Sequence, residues 1–197
     1  MSLQPGSRIA GIDEVGRGAL AGPVIAVCCI LPILHAIEGI TDSKKLSENQ
    51  RERLYTQLTQ HPKVEWGIGV VEADVIDEIN ILQATFLAMQ RAVEALQKKP
   101  DHLLVDGNQL PPIPIPSSAI IGGDLTSESI GAASIIAKVT RDRLMKQLDL
   151  TWPIYRFAQN KGYGTKEHLE ALKQWGPSPI HRKSFEPIRS RSLCFSA

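Results

Sequence analysis

Four acidic residues lie where apolar segments begin or end, the places where an open sheet presents side chains to a ligand. Asp13 and Glu14 interrupt an apolar run, Asp106 closes the segment HLLVD, and Asp124 follows two glycines ahead of a helical pattern. Aspartate is also common in turns and at helix N-termini, so each residue alone has an ordinary structural explanation. Clustered together, the carboxylates would repel by roughly 4 kcal/mol per pair at about 4 Å and an effective dielectric of about 20. The set therefore predicts a bound cation.

Carboxylate oxygens with open positions suit Mg²⁺ or Mn²⁺. Two such ions about 3.5–4 Å apart can activate a water and stabilise the leaving oxygen of a phosphodiester. Adjacent residues on a regular strand face opposite ways, so Asp13 and Glu14 reach one site only if the strand bends. Gly16 and Gly18 permit a bend, which we expect just before Gly16.

The glycine-rich stretch GRGALAG (16–22) is spaced GxGxxxG, and a β-rich run follows it. A dinucleotide site needs GxGxxG ahead of a helix, so this class is excluded. A glycine-flanked turn does let backbone N–H and C=O groups approach a sugar–phosphate chain closely. Such an edge can sense a ribose hydroxyl, which distinguishes RNA from DNA at one nucleotide.

The composition is that of an ordinary globular protein, with 197 residues, 43% hydrophobic content, 22% charged content and a net charge of +1. This length suits a single domain. No run approaches the roughly 18–20 apolar residues of a membrane span, and the N-terminus lacks the features of a signal peptide. Cys28 and Cys29 lie in an apolar run without a CxxC motif, which favours a reducing, cytoplasmic location.

Other chemistries find little support in the sequence. The five histidines show no metal-finger spacing, and no serine lies in a GxSxG elbow, so acyl transfer is not indicated. The basic segment 181–191 is interpreted as a solvated terminus, with a phosphate-binding edge as the alternative.

The residue patterns predict an α/β fold, a mixed sheet flanked by helices. A short glycine-rich link predicts that the first two strands form an antiparallel hairpin. Ser47 and Gln50 form a capping-box pattern at the start of the first helix. The predicted strands span 8–13, 22–31, 64–73, 102–107 and 118–124. The predicted helices begin with this capping box and span 47–60, 81–98, 127–149 and 165–175, the last with Thr165 as N-cap.

Over nearly its whole length the sequence resembles ribonuclease HII, the bacterial type 2 ribonuclease H. The ordered motifs are AGIDEVGRGALAGPV, DSKKL, LLVDG, GGD, GAASIIAKVTRDRLM, KGYGTKEHL and IHRKSFEP. The resemblance implies a ribonuclease H-like five-stranded mixed sheet in one catalytic domain, 1–197, of which about 165–197 is a helical appendage. Only a dozen residues precede Asp13, which argues against the related ribonuclease HIII with its N-terminal extension.

The resemblance also implies roles for individual residues. Asp13, Glu14, Asp106 and Asp124 match the family's acidic metal-site positions. Gly16, Arg17 and Gly18 match its GRG motif, whose backbone contacts the 2′-hydroxyls around the RNA–DNA junction. Tyr163 matches the tyrosine that stacks on the deoxyribose after the ribonucleotide. The positions that resemble phosphate contacts are Ser43, Lys44, Lys138, Arg141 and Ser184.

The implied activity is cleavage of RNA embedded in a duplex, including a single ribonucleotide in DNA, on its 5′ side, leaving a 3′-hydroxyl and a 5′-phosphate. Asp13, Glu14 and Asp106 would hold two Mn²⁺ or Mg²⁺ ions, and Asp124 would complete the site or transfer protons. The implied cellular roles are ribonucleotide excision repair and RNA primer removal.

Two alternatives remain open, a DNA nuclease with the same acidic site and a non-catalytic module that binds RNA/DNA hybrids. We expect a monomer, with RNA/DNA hybrid and ribonucleotide-containing duplex DNA as partners and no membrane. The C-terminal SLCFSA (192–197) is faintly similar to peptides that bind the replication sliding clamp, although a disordered tail is the favoured interpretation.

Overall fold

A five-stranded mixed sheet forms the centre of the protein, as predicted. The structure, a computed structural model, describes residues 6–192. Its strand order is β3-β2-β1-β4-β5, with antiparallel pairing among β1, β2 and β3 and parallel pairing from β1 to β4 and β4 to β5. The strands are β1 Ile9–Val15, β2 Val24–Ile30, β3 Glu65–Val71, β4 His102–Asp106 and β5 Ser117–Ile120.

Seven α-helices and two short 3-10 turns lie in the described residues. The first helix has the predicted capping box, in which the Ser47 hydroxyl accepts from the Gln50 amide and the Gln50 side chain accepts from the Ser47 amide. The helices are α1 Glu48–Gln60, α2 Ala73–Glu94, α3 Gly123–Thr126, α4 Glu128–Thr151, α5 Phe157–Asn160, α6 Lys166–Trp175 and α7 Ile188–Ser192.

Apolar residues cover both faces of the sheet. One core lies between the sheet and α2 and includes Ala10 and Ile12 of β1. The other lies between the sheet and helices α1 and α4, with Val27 and Cys29 facing it from β2. β1 is central and is paired on both sides through Ile12, so it lies between these two cores.

A third apolar cluster joins the C-terminal helices to the segment that follows β1. Leu20 and Ala21 pack there with Tyr155, Phe157 and Leu172. A backbone bridge pairs Ala21 with His181. The predicted helix at 165–175 is confirmed, and the Thr165 hydroxyl accepts from the His168 amide. The C-terminal chain is thus packed against the glycine-rich turn.

Two predicted elements differ from those observed. β5 ends at Ile120, and Asp124 lies in α3 rather than at the end of the strand, because Gly122 adopts a left-handed conformation (φ 66°) that starts the helix. The predicted helix at 81–98 ends at Glu94, and α2 extends back to Ala73 across a non-helical Asn80 (φ 66°). The Asn80 side chain accepts from the amides of Leu82 and Gln83, which caps the part of α2 that periodicity predicted.

In the described part of the chain, no helix is both long and apolar enough to cross a membrane. The predicted clamp-binding tail falls largely on residues 193–197, which lie outside the described residues.

Candidate active site

The four predicted carboxylates converge at one end of the sheet. The parallel register pairs Ile12 with Val105, so Asp13 and Asp106 are the next residues on neighbouring strands. The Gly123 amide donates to Asp106 Oδ1 at 2.8 Å, which joins the end of β4 to α3 and its Asp124. The charge of Asp106 raises the pKa of both Asp13 and Asp124. The expected acidic cluster is therefore present.

Asp13 is the buried centre of this cluster. Burial raises its pKa to about 8, with repulsion from Glu14 as the next cause. The Ser134 hydroxyl on α4 hydrogen-bonds this carboxylate and acts in the opposite direction. Burial also raises the pKa of Glu14, against the attraction of Arg17, whose Nη1 lies 3.2 Å from Glu14 Oε1. The site thus opposes ionisation of both acids unless a cation compensates them.

The bend expected before Gly16 does not occur. β1 stays paired with β2 through Val15, and its alternation places Asp13 on the α4 side and Glu14 on the α2 side of the sheet. Both residues nevertheless line one cleft of about 360 Å³. Pairing with β4 stops at Ile12, which leaves the edge of the last residues of β1 open, so side chains from both faces reach the same cleft. The physical reason is the end of the pairing and not a kink.

A fifth acidic residue, Asp42, was missed by the sequence reasoning. Its carboxylate accepts from the Lys44 amide at 2.8 Å and caps the 3-10 turn Ser43–Lys45. Burial and then the neighbouring Asp42 raise the pKa of Asp124. The sequence signal is the aspartate of the motif DSKKL, which stands directly before the turn in the N-cap position.

Lys44 is the cation that faces this acidic cluster. Burial lowers its pKa, but attraction by the surrounding aspartates outweighs burial and raises the pKa overall. The aspartates that act on it are Asp42, Asp13, Asp124 and Asp106. Lys44 thus provides positive charge at the mouth of the cleft.

The donor set fits a hard divalent cation. Every candidate ligand is a carboxylate oxygen. Burial is the first cause of the raised pKa values of Asp13, Glu14 and Asp124, and repulsion from neighbouring carboxylates adds to it. Within residues 6–192 no three Asp, Glu, His or Cys side chains are yet arranged to hold a metal ion. Glu14 instead pairs with Arg17. The carboxylate oxygens of these residues therefore match the ligands that Mg²⁺ and Mn²⁺ prefer. Glu14 would have to break its ion pair with Arg17 to bind such an ion.

The GRG turn follows directly after β1. Gly16 has φ 91°, and a Cβ there would lie 2.3 Å from Nε of Arg141, so only glycine fits. Gly18 has open space where a Cβ would be, and both Arg17 and Gly18 are exposed. The backbone of the turn is therefore accessible beside the acidic cleft.

Tyr163 lines the same cleft as Asp13 and Glu14. Its amide donates to the Asn160 carbonyl at 2.9 Å, and its carbonyl lies 2.9 Å from Nδ1 of His168. The Arg141 guanidinium lies 5.5 Å from the ring centroid. The half-buried ring thus lies near the Arg141 guanidinium and also borders the cleft.

Three of the five predicted phosphate contacts, Ser43, Lys44 and Lys138, line the cleft. Ser43 is buried, with its hydroxyl 2.9 Å from that of Ser134. Lys138 pairs with Asp142 at 2.7 Å. Ser184 is exposed, lies outside this lining and donates through its amide and hydroxyl to Asp77.

Arg141 is a correction to the predicted phosphate contacts. It is fully buried, and its guanidinium donates to the carbonyls of Pro23, Lys161 and Ala21 at 2.8–3.1 Å. No surface remains on it for a phosphate. The interpretation of 181–191 as a solvated basic terminus is likewise wrong at Arg182, which is fully buried.

Comparison with solved structures identifies proteins that share this fold. The chain is similar to ribonuclease H2 from Pyrococcus horikoshii OT3, with a TM-score of 0.78 and 28% identity over 96% of this chain and 99% of that one. The fold and the acidic cleft therefore define a nuclease of the type 2 ribonuclease H class.

Sequence comparison defines the family. The ribonuclease HII model matches residues 10–188. The chain is 55% identical to ribonuclease HII of Desulfitobacterium hafniense (strain DSM 10664 / DCB-2) over 93% of this chain and 70% of that protein. It is 56% identical to ribonuclease HII of Bacillus velezensis over 96% of this chain and 74% of that protein. The chain belongs to the ribonuclease HII family and is a ribonuclease H, a hydrolase that acts on RNA/DNA, as the resemblance predicted.

Proposed function

We propose that this ribonuclease H cuts on the 5′ side of a ribonucleotide embedded in duplex DNA, as well as within RNA/DNA hybrids, and leaves a 3′-hydroxyl and a 5′-phosphate. The observation that carries the proposal is that Asp13, Glu14 and Tyr163 line one cleft directly beside the GRG turn. The groups proposed to hydrolyse the phosphodiester and those proposed to recognise the sugar would therefore act on the same part of the substrate.

The four carboxylates Asp13, Glu14, Asp106 and Asp124 would hold two Mn²⁺ or Mg²⁺ ions, and Asp42 adds charge beside Asp124. When bound, such ions supply the Lewis acidity that activates water and stabilises the leaving oxygen. The side chains that line the cleft are carboxylates, hydroxyls, two lysines, a tyrosine and one valine. The two hydroxyls, of Ser43 and Ser134, are buried and lie 2.9 Å apart, so neither is free to attack a phosphate, and the proposal involves direct attack by water with no covalent intermediate.

The other cleft residues orient the substrate. Lys44 and Lys138 place positive charge where the phosphates of the cut strand would lie, with Ser43 as a further hydrogen-bonding group. Tyr163 offers an aromatic face to the sugar on the 3′ side. The backbone of residues 16–18 would contact the 2′-hydroxyl, the one group that separates RNA from DNA. Ser184 and its neighbour Lys183 would contact a more distant phosphate.

This activity suits ribonucleotide excision repair and primer removal in the cytoplasm of a bacterial cell by a monomeric enzyme. The single domain with its C-terminal appendage would act as one unit, because the C-terminal helices pack against Leu20 and Ala21 beside the GRG turn. Contact with a sliding clamp is the alternative interpretation of residues 192–197.

The decisive experiment incubates the protein with Mg²⁺ and duplex DNA that contains one ribonucleotide, beside an all-DNA control. Cleavage of the first duplex alone supports the proposal, and end-labelling locates the cut and the 5′-phosphate. Cleavage of both duplexes would instead support a DNA nuclease, and binding without cleavage would support a non-catalytic module. Asp106→Asn should abolish cleavage and keep the fold. An active Asp106→Asn enzyme in Mg²⁺ or Mn²⁺ would contradict the metal-site assignment.

A further inference from the structure

Arg182 makes an unusual set of contacts for a residue near the C-terminus. It is fully buried, and every hydrogen bond of its guanidinium goes to a backbone carbonyl of the segment after β1. Nη2 donates to Gly16 at 2.7 Å and to Gly22 at 2.9 Å, Nη1 donates to Arg17 at 2.8 Å, and Nε donates to Gly22 at 3.1 Å. These charged donors are stronger than neutral ones and impose a fixed geometry.

The contacts determine which way two peptide groups point. In a planar trans peptide the carbonyl of one residue and the N–H of the next point in opposite directions. The carbonyls of Gly16 and Arg17 both point at the guanidinium, so the amides of Arg17 and Gly18 both point away from it. Neither amide has a hydrogen-bond partner in the part of the chain that the structure describes, and both residues are exposed. Two adjacent donors thus face outward beside the acidic cleft.

The surrounding chain keeps the guanidinium in place. The Arg182 amide donates to the Leu20 carbonyl at 2.9 Å, and the Gly22 amide donates to the Ile180 carbonyl at 2.9 Å. The Phe185 ring lies 5.0 Å from the guanidinium carbon on the other side. Burial and the neighbouring Arg141 lower the pKa of Arg182 to about 9, so it remains charged at neutral pH. A buried charge that is satisfied only by these carbonyls is costly to move.

We propose that Arg182 is the positioning residue of the ribose-reading turn, because it orients the amides of Arg17 and Gly18 toward a sugar hydroxyl and so sets the preference for a ribonucleotide over a deoxyribonucleotide. The proposal rests on the proposed function above and adds to it a residue from the C-terminal segment that touches neither metal nor substrate. Phosphate contacts elsewhere in the cleft do not depend on these two peptide groups.

The test measures a ratio of affinities. Dissociation constants are obtained by fluorescence anisotropy in EDTA, where no cleavage occurs, for a duplex with one ribonucleotide and for the all-DNA duplex of the same sequence. Both values come from the same preparation, so partial unfolding cancels in the ratio. Arg182→Met removes every donor and should lower the preference for the ribonucleotide about tenfold, while affinity for the all-DNA duplex stays at the wild-type value. Arg182→Lys keeps the charge and part of the bonding and should lie between the two.

Tyr155→Phe is the matched control. Tyr155 belongs to the same buried C-terminal cluster and donates to the Gly176 carbonyl at 2.7 Å, but it does not bond residues 16–22. This variant should lose stability and keep the wild-type preference. Arg182→Lys carries the test if Arg182→Met gives no cooperative thermal transition.

Failure of the inference and failure of the proposed function give different results. A wild-type protein that does not cut the ribonucleotide duplex in Mg²⁺ would overturn the proposed function, and this inference with it. A wild-type protein that cuts and prefers that duplex, beside folded Arg182 variants that keep the full preference, would overturn the inference alone.

Discussion

Asp13 shows how a residue can be favourable for function and unfavourable for stability. Its carboxyl is buried beside Glu14 and Asp106, and burial and repulsion raise its pKa to about 8. In the absence of a cation, this concentration of acid costs folding free energy.

Asp13→Asn should therefore stabilise the metal-free protein by about 1 kcal/mol, which corresponds to a rise in Tm of about 2–4 °C for a chain of this size. The same variant should lose the increase in Tm that Mn²⁺ gives the wild type. Thermal unfolding with EDTA and with Mn²⁺ measures both effects. An Asp13→Asn protein that Mn²⁺ stabilises as much as the wild type would remove Asp13 from the metal site.

We expect the Tyr163 side chain to contribute only an aromatic face to substrate binding. Its backbone is held by Asn160 and His168, so truncation of the side chain should leave the loop in place. Stacking on nucleic acid is worth about 1–3 kcal/mol by alanine substitution. Tyr163→Ala should reduce kcat/KM on the single-ribonucleotide duplex about 10- to 100-fold, and Tyr163→Phe should stay near wild type. Equal rates for wild type and Tyr163→Ala would exclude the proposed role.

At the scale of elements, a pair of buried histidines joins α6 to the segment that carries Arg182. His168 Nε2 and His181 Nε2 lie 2.9 Å apart, and His181 Nδ1 accepts from the Ser178 amide. Tyr155 and Phe157 pack against both rings. Burial, followed by the charge of His168, lowers the pKa of His181 to about 4. Both histidines therefore contribute to the packing of the C-terminal segment.

The lowered pKa predicts a pH dependence of stability. Between about pH 4 and 6.5 the unfolded state binds a proton that folded His181 does not, so the free energy of unfolding falls as the pH falls through this window. One such group contributes about 1.4 kcal/mol per pH unit. The raised pKa values of Asp13, Glu14 and Asp124 have the opposite effect on the pH dependence of stability. The effect of His181 must therefore be measured as a difference in stability between the wild type and a variant without this histidine.

The test measures the free energy of unfolding of the wild type and of His181→Gln by urea at several pH values. The contribution of the acidic residues cancels in the difference, because both proteins have them. The wild type should lose stability more steeply than the variant between pH 6.5 and 4. Parallel curves would show that His181 is not held neutral by the fold.

At the scale of the whole molecule, two buried arginines connect distant parts of the chain. Arg141 on α4 and Arg182 near the C-terminus bond the carbonyls around the GRG turn from two sides. Arg141, which the resemblance assigned to phosphate contact, and Arg182, which was assigned to a solvated terminus, are therefore both buried. With a net charge of +1, we expect the protein to bind its duplex through a small local basic surface.

Salt dependence measures the size of that surface. The logarithm of affinity should fall with the logarithm of salt by about 0.9 per phosphate contacted. Lys138→Ala should reduce this slope by about one contact and weaken ribonucleotide and all-DNA duplexes equally. Arg141→Lys should leave the slope unchanged, because the buried guanidinium touches no phosphate. An altered slope in Arg141→Lys would restore Arg141 to the phosphate-binding residues.

Local patterns in the sequence were sufficient to predict much of the secondary structure and of the candidate site. Alternation and periodicity predicted the strands and the long helices, the capping box predicted the start of α1, and carboxylates at strand ends predicted an acidic cluster. The strands, the helices and the cap depend on neighbours along the chain, so the sequence alone determines them, whereas the carboxylates meet through the pairing of β1 with β4. Only the tertiary structure decided that Arg141 and Arg182 are buried, that Asp42 joins the cluster, and that Asp13 and Glu14 share a cleft without a bend. Each of these facts depends on which distant backbone covers a side chain, and a carbonyl that will accept from an arginine leaves no mark in the sequence because every residue has one.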